Sequence, residues 1–359
     1  MVTTAVAPTN IATLKYWGKN PAWEEYHIPT KSSLSFTVDG LYTKTTVQAK
    51  KGSGNVEFNL NRKVITPEMK EYEYVGDFLK KVGAIYPFLN SYDYEIVSEN
   101  NFPTAAGFAS SASGFAALIK AIAGEVKELA FAKGNDRKLS ALARLGSGSA
   151  TRSIPSKGGF VVWERGISPD DKRTPENVSQ EEKEKIIDSS YSETLVEPDA
   201  WQELRIIYVK VKEEEKKVKS RAGMKTSVAT SQFYKAWVEY EENEMKGKMV
   251  NAVRQKDFGL FAELTMKASN NLHSICLNTY PPISYLNETS WKIINMVHDI
   301  NEGEVKAAYT YDAGPNAVVF TLGKHEGEVK GALAEVVGKE NLFATRMGRG
   351  PYYTDNHLF

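Results

Sequence analysis

The sequence predicts a chain of mixed helix and sheet, α+β or α/β, folded as two intimately packed lobes. Strand-like alternation and helix-like spacing of apolar residues recur in both halves. The 359 residues exceed one average domain, and 42% hydrophobic with 25% charged residues is the balance of a water-soluble globular protein. No Rossmann pattern is present, which sets aside a dinucleotide fold.

Taken in order, a strand-like start leads into Ala7-Pro-Thr-Asn-Ile-Ala-Thr-Leu-Lys-Tyr-Trp-Gly-Lys19. Apolar and polar residues then alternate over Leu41–Ala49 and around Asp93–Val97, the mark of half-buried strands. Between them Thr66 can cap a helix, Pro67 suits its first turn, and Met69, Tyr72, Val75, Phe78, Leu79 and Val82 share one face. Ser111–Ala132 reads as a second amphipathic helix, with Phe115, Leu118, Ile119, Ile122, Val126 and Leu129 on its buried stripe. A third, capped by Asp136, stops near Leu145 where Gly146-Ser-Gly-Ser begins.

Ile167–Asp188 turns charged, with Pro169, Pro175 and the run Glu181-Glu-Lys-Glu-Lys, and is expected to be a solvated excursion near the lobe boundary. The N-terminal lobe is accordingly placed at residues 1–188 and the C-terminal lobe at 189–359. The latter should open with a strand at Leu204–Val211 and continue mostly helical from Met224 to His298. A strand pair, Val305–Tyr311 with Ala317–Leu322, follows.

Composition narrows the function. Lysine plus arginine and aspartate plus glutamate both number 45, so no global field favours nucleic acid or an anionic membrane, and anion binding must be local. Cys276 is the single cysteine, so no intrachain disulfide can form and the cytoplasm is the expected compartment. The start Met1-Val-Thr-Thr-Ala-Val-Ala-Pro lacks a basic segment before an apolar one, and no run nears about 18 apolar residues, so neither export nor membrane spanning is expected. His27, His273, His298, His325 and His357 show no metal-ligand spacing, and no metal site is expected from them.

Four segments carry candidate chemistry. In Asn100-Asn-Phe-Pro-Thr-Ala-Ala-Gly-Phe-Ala-Ser-Ser-Ala-Ser-Gly114, small residues crowd a turn opening into a helix, whose exposed amides and dipole suit phosphate. It is no Walker A loop, and composition alone equally allows a tight helix-packing turn. Arg144-Leu-Gly-Ser-Gly-Ser-Ala-Thr-Arg-Ser153 ends on an arginine suited to bidentate carboxylate or phosphate recognition, although most lone arginines make only surface ion pairs. Lys15 and Lys19 flank an aromatic pair and could hold an anion, or lie as solvated charges over a packed edge. Tyr309-Thr-Tyr-Asp-Ala-Gly-Pro-Asn316 sets Asp312 at a strand end, where it either bonds to nearby backbone or projects into a cleft.

In this order the four segments resemble the mevalonate diphosphate decarboxylase family, within the galactokinase, homoserine kinase, mevalonate kinase and phosphomevalonate kinase superfamily. Ser32-Ser-Leu-Ser35, Gly158-Gly-Phe-Val-Val-Trp163, Gly223-Met224, Val228-Ala-Thr-Ser231, Pro281-Pro-Ile283 and Gly348-Arg-Gly-Pro351 extend the likeness over nearly the whole chain. The resemblance implies the superfamily's two-lobed α+β fold with a deep cleft. It implies a cytoplasmic homodimer that uses ATP with Mg2+ to decarboxylate a phosphorylated mevalonate in isoprenoid synthesis, giving isopentenyl diphosphate. Carried over by motif, Asp312, Arg152 and Lys15 are catalytic: the carboxylate at the 3-hydroxyl, the clamp on the substrate carboxylate and the residue orienting the charged groups. Tyr16, Lys19, Arg62, Ser147, Ser149, Ser220, Gly223 and Met224 bind substrate. Pro103, Ala106, Gly107, Ala109, Ser110 and Ser111 bind ATP.

The chain departs from the family at Lys31, where Asn is usual, at Phe58–Arg62 in place of Trp-Leu-Asn-Gly, and at Lys219-Ser-Arg-Ala-Gly-Met224 followed by Lys225. The residues around Pro155–Lys157 lengthen the turn after Arg152. At least two of Lys31, Lys219, Arg221 and Lys225 are expected to bind substrate phosphate. These changes keep open a decarboxylase of mevalonate 5-phosphate, one acting on the 3,5-bisphosphate without ATP, a kinase of the same superfamily, and a non-catalytic binding protein.

Overall fold

The computed structural model describes residues 2–102, 110–211 and 217–359. The strands in chain order are β1 (Val2–Leu14), β2 (Ser33–Lys51), β3 (Val56–Leu60), β4 (Lys63–Ile65), β5 (Tyr92–Asn100) and β6 (Phe160–Trp163). They continue with β7 (Ser192–Val196), β8 (Leu204–Val209), β9 (Ala307–Tyr311), β10 (Ala317–Leu322), β11 (Leu342–Thr345) and β12 (Tyr352–Thr354). A first sheet runs β12-β1-β2-β5-β3-β4, with β6 joining β2 to β7, and a second runs β11-β8-β10-β9. Pairing is antiparallel except where β3 lies parallel to β5.

The long β2 holds the first sheet together. Its beginning, Ser33–Phe36, pairs with β6, and its end, Thr43–Lys51, pairs with β5. β5 buries Tyr92, Tyr94, Ile96 and Ser98 in the alternation that its sequence shows. Against this sheet lie α1 (Lys70–Ile85), α2 (Ser110–Glu125), α3 (Asp136–Gly146) and α4 (Gln180–Ser189), enclosing one core around Phe78, Phe115, Ile119 and Leu142. The remaining helices are α5 (Ser220–Thr230), α6 (Tyr234–Tyr240), α7 (Lys246–Gln255), α8 (Phe258–Asn278), α9 (Glu288–Ile300) and α10 (Glu326–Val337). No described helix is long and apolar enough to cross a membrane.

Two features set the cleft. A core that takes Leu14, Leu34 and Phe36 from the first sheet and Ile206, Val318 and Phe320 from the second welds the sheets at a fixed distance. The chain also returns: β12 pairs with β1, and β7 stays in the first sheet through β6. The ends of β1 and β9 are thereby brought face to face.

Local expectations need correction in several places. Thr66 does not cap α1, which starts at Lys70 after Met69 without a side-chain cap; the Thr66 carbonyl accepts from Met69 instead, in a turn that follows Pro67. The helix expected through Ala132 ends at Glu125, because Val126 is extended and Lys127–Ala132 coils as a tighter 3₁₀ turn. Asn135, not Asp136, caps α3 by accepting from Lys138 N–H. The charged excursion contains α4, capped by Ser179 and anchored by buried Ile186 and Ile187, whose burial outweighs the flanking charges.

Candidate active site

Lys15 comes immediately after β1, and Asp312 immediately after β9, where Gly314 N–H bonds back to the Asp312 carbonyl at 2.7 Å and turns the chain. Lys15 Nζ reaches Asp312 Oδ1 at 2.7 Å and the Ala12 carbonyl at 2.9 Å. The lysine is 1% exposed and the aspartate 49%, so a buried ammonium anchors a carboxylate that faces open space. Burial lowers the Lys15 pKa, and the adjacent Asp312 opposes that shift.

Arg152 is mounted more rigidly. It lies in the 3₁₀ turn Gly148–Ser153, donating from Nε to Asn10 Oδ1 at 3.1 Å and from Nη1 to Ser33 Oγ at 2.7 Å. Asn10 is itself oriented, because its amide nitrogen donates to Ser153 Oγ at 2.8 Å and to the Ser149 carbonyl at 3.1 Å. Burial lowers the Arg152 pKa to about 10, with Asp312 opposing, so the guanidinium stays charged at neutral pH. Beside it Tyr16 packs on Trp163 with ring centroids 4.6 Å apart, and burial raises its pKa. Gly148 makes room for that phenol: a Cβ there would come 2.6 Å from the Tyr16 oxygen.

The opposite rim is hydroxylic and cationic. Ser110 and Ser111 form the first turn of α2, and Ser111 Oγ, Ser147 Oγ and Ser149 Oγ are linked at 3.2 and 3.3 Å. Ser220 and Arg221 begin α5; Arg221 donates to the Gly146 carbonyl at 2.9 Å and lies 4.6 Å above the Tyr74 ring. The Lys19 pKa is lowered to about 8, first by burial and next by Arg221. These groups enclose a cleft of about 360 Å³, and among the described residues Asp312 is the acidic side chain that lines it. A helix N-terminus, serine hydroxyls and two cations suit phosphate oxygens, while Arg152 and Asp312 suit a carboxylate and a hydroxyl at the inner end.

Most of the residues singled out in the sequence converge here. Tyr16, Lys19, Ser110, Ser111, Ser147, Ser149, Arg152, Ser220, Met224 and Asp312 line the cleft, with Lys15 beneath. Gly223 is buried behind it, where a Cβ would approach the Tyr285 hydroxyl at 2.7 Å. Arg62 is not brought there: it occupies the β3–β4 turn with φ 65°, 89% exposed, 3.4 Å from Glu99. Pro103, Ala106, Gly107 and Ala109 lie outside the described residues.

Of the four extra cations only Arg221 lines the cleft, so the expectation that two of them bind phosphate is corrected. Lys31 is buried against Glu241 at 2.7 Å, Lys225 is 74% exposed and 3.9 Å from Glu24, and Lys219 is exposed ahead of α5. Sequence reasoning missed Asn10 and His27. Asn10 is placed with Ala12 by strand periodicity, a signal present in the sequence; His27, bonded to the Arg144 carbonyl at 2.8 Å, left none.

Comparison with known proteins gives the same picture over the whole chain. Residues 7–174 match the diphosphomevalonate decarboxylase-like N-terminal domain and residues 206–353 the mevalonate 5-diphosphate decarboxylase C-terminal domain. Diphosphomevalonate decarboxylase of Candida albicans is 40% identical over 98% of each chain. The crystal structure of mevalonate diphosphate decarboxylase from Staphylococcus aureus superposes with a TM-score of 0.84, at 31% identity over 99% of each chain. A second structure, of the protein MDDEF in complex with mevalonate diphosphate, the ATP analogue AMPPCP and magnesium, has a TM-score of 0.82 at 33% identity over 99% of each chain. The chain belongs to the diphosphomevalonate decarboxylase family.

Proposed function

We propose that this family member catalyses the ATP-dependent decarboxylation of mevalonate 5-diphosphate to isopentenyl diphosphate. The observation that carries the reading is the meeting, in one cleft, of the Lys15–Asp312 pair and the Asn10-oriented Arg152 with a phosphate-suited rim. Arg152 clamps the substrate carboxylate and Asp312 faces the 3-hydroxyl. Lys19, Arg221, Ser147, Ser149 and Ser220 receive the 5-diphosphate. The hydroxyls of Ser110 and Ser111, at the start of α2, fit nucleotide phosphates. Magnesium is commonly held by one or two carboxylates together with phosphate oxygens, which fits a cleft whose acidic side chain is Asp312.

The atoms balance as follows. The 3-hydroxyl oxygen attacks the γ-phosphorus of ATP, the bond to ADP breaks with its electron pair on the departing ADP, and the hydroxyl proton passes by way of the half-exposed Asp312 carboxylate to solvent. The C3–O bond then breaks with its electron pair on phosphate. The C1–C2 bond breaks as carbon dioxide leaves, and its pair forms the C2–C3 double bond. Positive character at C3 develops beside Asp312, a charge preorganised by Lys15, and this favours the transition state over the ground state. Arg152, held by its hydrogen bonds to Asn10 and Ser33, aligns the bond to carbon dioxide.

Purified protein incubated with mevalonate 5-diphosphate should release carbon dioxide and inorganic phosphate only when ATP and Mg2+ are present. Release from the 3,5-bisphosphate without nucleotide, or preference for the 5-phosphate, would overturn that assignment. The accompanying proposals are a cytoplasmic homodimer and a division into lobes near residue 188, with β7 and β12 returning from beyond it to complete the first sheet. Sedimentation at a monomer mass would remove the homodimer, and limited proteolysis of the full chain that cuts first at a place other than the neighbourhood of residue 188 would remove the division.

A further inference from the structure

A second ion pair lies directly behind the first, among none of the residues that line the cleft. Lys31 Nζ is 2.7 Å from Glu241 Oε2, and the two side chains are 1% and 0% exposed. Lys31 also donates to the carbonyl oxygen of Lys15 and stands 4.6 Å above the Trp237 ring. The other Glu241 oxygen accepts from Asn271 Nδ2 at 3.2 Å. Glu241 opens the π-helical turn Glu241–Met245 that joins α6 to α7. Such turns are rare and recur at functional sites.

Burying a charge pair is a poor way to gain stability, since desolvation offsets most of the attraction, and a hydrophobic pair of equal volume does as well or better. The pair does have a geometric consequence. Lys15 leaves β1 with its ammonium tied to Asp312 and its peptide carbonyl tied to Lys31, so both ends of the residue are held. We propose that Lys31 and Glu241 are positioning residues: they fix the Lys15 peptide, so that the Lys15 ammonium holds Asp312 at the reacting carbon. This rests on the decarboxylase reading of the cleft. The negative charge of Glu241 also favours the protonated form of Lys15, against burial and Arg152.

The test uses the full chain, with Glu241→Gln and the double variant Lys31→Met/Glu241→Gln. Each is assayed for kcat, for KM toward mevalonate 5-diphosphate and ATP, and for its melting temperature. The double variant should melt close to wild type with both KM values within about twofold, yet lose about tenfold or more in kcat, because small misplacement of reacting groups is costly. Glu241→Gln should also lose kcat while remaining folded. Wild-type kcat in a folded double variant, a loss seen in KM instead, or a kcat that simply tracks melting temperature would overturn the proposal. So would failure of both variants to fold, which would make the pair structural. An inactive wild type sinks the functional reading and this inference with it; an active wild type with an active double variant sinks this inference alone.

Discussion

The inner and outer ends of the cleft are built on opposite plans. At the inner end every charged group has a buried partner: Arg152 on Asn10 and Ser33, Lys15 on Asp312 and the Ala12 carbonyl. At the outer end Arg221 is exposed and Lys19 partly so, and Arg221 rests on the Gly146 carbonyl and the Tyr74 ring. The contrast follows the chemistry that each end must serve. Bond breaking needs charge in one fixed place, whereas a diphosphate is attracted by any nearby cation and tolerates reorientation. Inner-end substitutions should therefore act on turnover, and outer-end substitutions on affinity.

The largest effect should come from Asp312→Asn, which leaves Lys15 in place but removes the charge needed in the transition state. A loss of about a thousandfold in kcat is expected, with the substrate KM nearly unchanged. Retention of more than about a tenth of wild-type turnover would reduce Asp312 to a turn residue. Next, Arg152→Lys should lower kcat/KM by about a hundredfold, since three donors on one nitrogen cannot reproduce the planar fork that bonds Asn10 and Ser33 and still meets a carboxylate bidentately. Near-normal activity in that variant would show the inner end to be a general basic field, and the contrast would collapse.

Arg221→Ala should raise KM for mevalonate 5-diphosphate about tenfold, the loss of one charge-assisted contact, with kcat within about threefold of wild type. A fall in kcat without a change in KM would move Arg221 to the inner class. The smallest effect is a pH dependence. The protonated fraction of Lys19 falls as pH rises through about 8, so kcat/KM should decline above that pH. In Lys19→Arg, charged throughout, the decline should flatten; an unchanged profile assigns it elsewhere. Stability moves in the other direction, because between about 8 and the ordinary 10.5 the unfolded chain binds more protons at this residue, so folding is favoured as pH rises across that window.

What the sequence determined by itself is whatever depends on neighbours along the chain. The alternation around Asp93–Val97, the strand pair Val305–Tyr311 with Ala317–Leu322 and the mostly helical stretch Met224–His298 are local patterns of period 2 or 3.6, legible in the sequence and met by β5, by β9 with β10 and by α5 to α9. So were the small-residue turns and strand ends that bring Ser111, Ser147, Arg152 and Asp312 to one place, because motif order stood in for contact. Tertiary structure alone decided which polar residues face the cleft. Arg62 reads as a substrate-binding residue by resemblance and Lys31 as a candidate phosphate-binding cation, but one stands on an exposed hairpin turn and the other is sealed against Glu241, far away in the chain. Ile186 and Ile187 turned a charged stretch into a helix for the same reason: burial is a property of what packs on a residue. A charge has no chemical role until its partner and its dielectric surroundings are fixed, and both arrive only when distant segments meet.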